Sequence, residues 1–186
     1  MDAASQYAFA YALTTSAGIR ALLPLALVSV AVHFGYVHPP EPFAWLGSTV
    51  VTGVLIAFAI VEIFADKIPI VDHALHFVQI ATKPAAAAIL VGGTAHPQNH
   101  NVLVTLMVLG ALNALGVHAF TATVRVGSTA TTAGLGNPIL STVEDTGAIV
   151  TTLLAFVAPF LAALLALVLV LVLVRIVRGA YKRVRT

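Results

Sequence analysis

Cysteine is absent from the 186-residue chain, which excludes disulfides, thiolate metal sites and cysteine nucleophiles. Charge is the second scarcity, at 9% of residues against 60% hydrophobic. A water-facing surface normally draws on about 25% charged residues, so these few cannot clothe a soluble globule. No Gly-x-Gly-x-x-Gly, phosphate loop, nucleophile elbow or His-Glu-x-x-His pattern occurs, and neither a cofactor nor a metal is expected. What is abundant is apolar sequence, with a mean hydropathy of +1.02. Lipid is the surrounding that suits such a surface, and the reading is an all-α integral membrane bundle forming one transmembrane domain over 1–186.

Five apolar stretches stand out, at about 7–34, 43–65, 73–91, 102–124 and 141–177, the last spanning over 146–177. Four match the roughly 20 residues of a bilayer span. The fifth overshoots at about 1.5 Å per residue unless it tilts or kinks at Pro159. Breakers separate the stretches: His38-Pro39-Pro40-Glu41-Pro42 before the second, and Gly92 to His100 before the fourth. Two segments read as broken or re-entrant helices. One is Gly18-Ile19-Arg20, followed by Pro24. The other runs from Arg125 to Pro138, glycine-rich and polar with a single charge, and an external loop is its simpler alternative. Non-helical backbone at membrane depth is tolerated only beside protein or a wet cavity.

Basic residues crowd the last dozen positions (Arg175, Arg178, Lys182, Arg183, Arg185). Directly after an apolar run, such a cluster fixes orientation and does not indicate nucleic acid. A cytoplasmic C-terminus and five spans place the N-terminus outside a prokaryotic cytoplasmic membrane, with the Asp66–Asp72 turn and the segment after Arg125 on the outer side. Met1 to Gln6 lacks the basic region of a cleavable signal, so the first helix is expected to stay. Ser16-Ala17-Gly18-Ile19-Arg20 resembles Thr121-Ala122-Thr123-Val124-Arg125, and Pro69-Ile70-Val71 echoes Pro138-Ile139-Leu140. Paired interrupted helices of this kind point to a degenerate inverted repeat.

Ionisable groups inside spans cost about 2.5–3.5 kcal/mol each on insertion scales and mark functional sites. Arg20, mid-way along the first stretch, suits a carboxylate or phosphate, with pairing to a buried acid such as Glu62 as the purely structural alternative. Glu62 and Asp66 share a helix face, with Lys67 to screen them. Two carboxylates in a poorly hydrated site favour proton carriage or cation binding, and Asp72 extends that group. Asn137-Pro138-Ile139-Leu140-Ser141-Thr142-Val143-Glu144-Asp145 forms a further cluster. Ser141 with Glu144 has capping-box spacing, leaving Asp145 to meet Arg20 or Arg125. His118 is the histidine placed for a proton-linked role, while Asp72, His73 and His76 fall short of a zinc set. The candidate substrate-binding residues are therefore Arg20, Arg125, Asn137 and Ser141. The candidate coupling residues are Glu62, Asp66, Asp72, His118, Glu144 and Asp145.

Those motifs resemble a family of small membrane proteins known as domain of unknown function 4126. The likeness covers nearly the whole chain. It rests on Gly18-x-Arg20, Ala44-Trp45-Leu46, Glu62…Asp66-Lys67-Ile68-Pro69…Asp72, Pro84, Arg125, and Asn137-Pro138-Ile139-Leu140-Ser141-x-x-Glu144-Asp145. Where that family implies a lysine-like position upstream of the arginine, this chain has His118. The resemblance implies an architecture and a residue set, and no activity.

The function expected from these residues is a small transporter, proton-coupled, for an anionic solute or phosphorylated lipid headgroup. A channel lined by the same residues is a second reading. An intramembrane enzyme using Glu62 and Asp66 is a third, without a recognisable nucleophile. A structural or accessory protein is the fourth, since Ala85-Ala86-Ala87-Ala88 and Gly110-x-x-x-Ala114 offer close-packing faces. Membrane lipids and a second copy of the chain are the expected partners.

Overall fold

A computed structural model describes all residues except Asp66 and Thr186, and gives the backbone alone at 69–76, 173 and 176–185. The described residues form helices α1 (Ala3–Ile19), α2 (Leu22–His33), a 3-10 helix (Glu41–Gly47), α3 (Thr49–Ala65), α4 (Pro69–Thr94), α5 (His100–Thr132), α6 (Asn137–Val157) and α7 (Pro159–Arg185). Among the described residues, three helices are long and apolar enough to cross a membrane, or four if the 3-10 helix and α3, bent by 65°, count as one broken span. That architecture is consistent with an integral membrane protein.

Local chemistry sets the ends. The Asp2 side chain accepts from the Ser5 amide and caps α1, as short polar side chains do for orphan amides. The first stretch breaks where expected. Arg20 is extended (φ −133°, ψ 119°) between α1 and α2, and Pro24 falls in the tolerated first turn of α2. Gly35 at φ +76° follows the end of α2, a conformation that costs glycine little. Pro69 and Pro138 each open a helix. Pro159 lacks the amide that would continue α6, so the chain turns at Ala158 (φ −143°, ψ 73°).

The segment after Arg125 is neither loop nor broken helix: α5 continues to Thr132, and only 133–136 turn. Hydroxyls explain it. Thr123, Thr131 and Thr132 donate to the carbonyls of Ala119, Gly127 and Ser128, so these poor helix formers satisfy themselves within the helix. Ala133 and Gly134 then take positive φ (52° and 87°) and stop it. The two arginine-bearing segments thus differ in backbone, Arg20 at a break and Arg125 within a helix, whereas the two proline-led segments agree.

α1 is the centre of the bundle, packed on α4, α5, α6 and α7, with every residue from Thr14 to Ile19 buried. Small residues allow the approach: a Cβ on Gly18 would lie 2.7 Å from the Ala114 carbonyl of α5. The outer faces of α5, α6 and α7 expose Leu112, Leu153 and Leu164. Helix directions follow from the packing. Met1, Gln6, Tyr36, His38, His96 and Phe156 line one cleft, so the N-terminus, the α2–α3 connection, the α4–α5 turn and the α6–α7 turn share a first end. Ile19, Leu23, Ile63, Phe120, Ala148 and Leu169 pack together toward the second end, where the α3–α4 and α5–α6 turns lie. α1 and α2 therefore form a hairpin dipping from the first end, with Arg20 at its tip, and α7 runs back along α6. This corrects the expectation that the basic tail lies opposite the 66–72 and post-Arg125 segments. Hydropathy registers neither hairpin, and each reverses the count of crossings.

Candidate functional site: a buried ionic cluster

The tip of the α1–α2 hairpin delivers Arg20 into the bundle with 0% of its surface exposed. A buried guanidinium demands acceptors in a planar fork, and α6 supplies them. Its Nη2 donates to the Ser141 hydroxyl at 2.8 Å and the Ser141 carbonyl at 3.1 Å. Its Nε lies 2.8 Å from Asp145 Oδ1, and Glu144 Oε2 stands 3.6 Å from Nη2. Ser141 and Asp145 are one turn apart on α6, so both reach the same side chain.

Each acid is shared. Asp145 Oδ2 accepts from Lys67 Nζ at 2.7 Å, and Lys67 also donates to the Ile63 carbonyl. Glu144 holds Arg125 in a short, two-pronged contact through Nε and Nη2, the fork geometry that strengthens charge-assisted pairs. Glu62 does not pair with Arg20, as the structural alternative had it. Its two oxygens accept from the amides of Ala21 and Leu22, each at 3.0 Å, capping the orphan donors at the start of α2. The cluster thus joins the hairpin tip, α3, α5, α6 and the α3–α4 turn, with Arg20, Lys67 and Arg125 set against Glu62, Glu144 and Asp145.

Ser141 and Glu144 do not form a capping box. Asn137-Pro138 starts α6, so Ser141 lies beyond the first turn, where its hydroxyl serves Arg20. The Asn137 amide donates to Thr129 Oγ1 at 3.0 Å across the α5–α6 turn, which ties it to that turn. Asp66 and the side chains of Asp72, His73 and His76 lie outside the described residues. Among the described residues, no group of three His, Cys, Asp or Glu converges as a metal set.

Sequence reasoning gave Lys67 only a screening part beside Glu62 and Asp66 and passed over Lys83. Lys83 is 2% exposed on α4, its Nζ 3.0 Å from Nδ1 of His118, itself 3% exposed on α5. The signal was present, since an ammonium inside an apolar run carries the same insertion cost that singled out Arg20. Further along α1, Ser16 donates to the Ala148 carbonyl and meets the Thr152 hydroxyl, while Asn113 donates to Thr14 and Thr15. Toward the first end, the hairpin and α6 enclose a largely apolar cleft of about 710 Å³.

The family model described as Domain of unknown function (DUF4126) matches residues 7–179, which contain every member of this cluster. The chain belongs to that family. No curated protein and no solved structure matches it. DUF4126 membership agrees with a small polytopic membrane protein and adds no chemistry, so the site has to be read from its own geometry.

Proposed function

We propose that this DUF4126 protein is a small membrane transporter for an anionic solute or a phosphorylated lipid headgroup, and that the ionic cluster is its closed gate. One observation carries the reading: two arginines from separate elements, Arg20 and Arg125, converge on the single carboxylate of Glu144. A carboxylate held between two guanidiniums occupies the place a phosphate or carboxylate ligand would take. An incoming anion binds there by displacing Glu144, so binding and loosening of the α5–α6 contact become one event. The cleft at the first end supports an open side opposite the closed one, the asymmetry that alternating access requires.

In this reading the 3-10 helix with α3, then α4, α5, α6 and α7, supply five crossings, and the α1–α2 hairpin is re-entrant. Lys67, Arg125 and the tail beginning at Arg175 belong to the second end, whereas 1–19, 21–66 and 84–124 hold no Lys or Arg. The positive-inside rule then makes the second end cytoplasmic, with the N-terminus outside.

The test is reconstitution into vesicles with fluorescent phosphatidylglycerol as the headgroup probe and radiolabelled inorganic phosphate as the free-anion probe. Arg125→Gln, a partly exposed position, should abolish movement of one probe while the protein stays folded in detergent. Full flux in that variant would remove the gate from the reading, and no flux of either probe in the unaltered protein would remove these substrates. The pairing of each of the three cations with an acid of α6 favours a second reading, a structural cluster in an accessory protein. In that case Arg125→Gln lowers thermal stability and changes no flux.

A further inference from the structure

We propose that Lys83 and His118 form a one-proton site in the interior of the bundle, bridging α4 and α5. Both side chains are nearly inaccessible, at 2% and 3% exposure. Each residue lies at least three turns from either end of its helix (Pro69–Thr94 and His100–Thr132), counting about 3.6 residues per turn. Lys83 Nζ and His118 Nδ1 are 3.0 Å apart.

That distance fixes the proton count. An ammonium offers donors only, so a protonated Lys83 needs an unprotonated Nδ1 as acceptor. In the mirror state the imidazolium donates from Nδ1 to a neutral amine. A second proton would put two like charges in contact where water cannot screen them, and such a pair titrates as a unit. One proton therefore has two seats along a single hydrogen bond, one on each helix. Neutral polar pairs such as Asn113 with Thr14 already join α5 to α1 without titrating, so two basic groups are not needed merely to satisfy a buried contact.

The charged groups that act on Lys83 at longer range are Glu144 on α6, Glu62 on α3, Arg20 at the hairpin tip and Arg125 on α5. Lys67 and Asp145 complete the cluster among the described residues, and Asp66 lies outside them. The other titratable groups of α2 and the 3-10 helix, His33 and Glu41, belong to the first end, α7 has none before Arg175, and the α4 side chains of Asp72, His73 and His76 are outside the described residues. The seat of the proton is thus felt by the acids of the gate. The coupling role rests on the transport reading, but the one-proton count does not.

The experiment uses the full chain in lipid nanodiscs with 15N-labelled lysine and histidine. The Lys83 amine and the His118 ring should follow one common titration midpoint, and Lys83→Met should move the His118 midpoint by at least one pH unit. Separate midpoints, simultaneous charging of both groups, or an unmoved midpoint in Lys83→Met would overturn the proposal. Lys83→Arg guards against misfolding: a permanent cation there should stop His118 titrating wherever the protein stays folded, and normal titration would count against the pair. Vesicles with trapped pyranine provide the separate arm. A common midpoint without proton flux under an imposed gradient removes the transport reading and leaves the one-proton site standing.

Discussion

Replacing Asp145 with leucine tests the ionic cluster most directly. At the 2.8 Å between Asp145 Oδ1 and Arg20 Nε, the gross attraction is about 6 kcal/mol for an effective dielectric constant of about 20. Desolvation of both ions offsets most of that, at several kcal/mol per ion. Removing the acid alone leaves Arg20 fully buried with Glu144 at 3.6 Å as its remaining acid among the described residues. A broken buried pair costs about 3–5 kcal/mol. Lys67 loses the same partner, but its side chain is 33% exposed, so water can take it over at little cost. Arg20→Leu should cost less, because Asp145 keeps Lys67 at 2.7 Å and Glu144 keeps Arg125. The double variant replaces two buried ions by two apolar groups, so its loss of stability should be about 1.5–3 kcal/mol smaller than the sum of the two single losses, in the range of coupled neighbours. Reversible unfolding in mixed micelles, read by circular dichroism, gives all three values. Strict additivity would refute the reasoning, because it would mean that the two charges do not meet.

Gly18→Ala should destabilise by about 1–3 kcal/mol through overpacking. Its Cβ would meet the Ala114 carbonyl at 2.7 Å and Val117 Cβ at 2.6 Å, neither of which can swing away, whereas Gly116 and Gly147 face open space and their alanine variants should be neutral or slightly stabilising in the same melts. Glu62→Ala strands the Ala21 and Leu22 amides, at about 1–3 kcal/mol for each unsatisfied donor. Glu62→Gln, which keeps one acceptor oxygen, should recover part of that loss. A chain without cysteine is suited to thiol mapping. Tyr36→Cys and Leu135→Cys, at positions 82% and 83% exposed, should react with an impermeant maleimide from opposite faces of a sealed vesicle, and labelling from one face would overturn the helix directions.

Proline and charge made much of this fold readable. Pro39, Pro40 and Pro42 marked the connection into the second stretch, the echo of Pro69 in Pro138 singled out two prolines that each open a helix, and Gly18-Arg20 marked the hairpin tip. The insertion cost of ions pointed to Arg20, Glu62, Arg125, Glu144 and Asp145; the two arginines meet the α6 acids, and Glu62 caps the amides beside Arg20. Partner choice was less readable. Glu62 is at the right depth for Arg20, yet the newly made start of α2 presents two bare amides that compete for it. Ser141 and Glu144 matched a capping box by spacing, but Asn137-Pro138 had already opened the helix a turn earlier. The span from Arg125 to Thr132 was misjudged because threonine is a weak helix former in water-facing peptides, and its back-bonding hydroxyls are invisible to a propensity argument. Direction was lost altogether, since a hydrophobic run reads the same for a hairpin as for a crossing.

The contacts that hold α1 differ in what it takes to exchange them. Thr14, Thr15 and Ser16 bind α5 and α6 through hydroxyl and amide hydrogen bonds. Inside a membrane such bonds average about 0.6 kcal/mol, and apolar packing supplies no hydrophobic drive between helices because lipid is equally apolar. On those terms, the close packing of Gly18 on Ala114 aside, the polar contacts of the hairpin can be exchanged at small cost along most of its length. Arg20 is the exception, because its movement separates buried ions unless another anion replaces the carboxylates it leaves. The position of the hairpin should therefore be governed by what occupies the cluster at its tip, more than by the bundle around it. In the proposed transport reading, occupancy of the Arg20–Glu144–Arg125 triangle, more than any property of the lipid-facing surface, is then the quantity on which the working state of the protein turns.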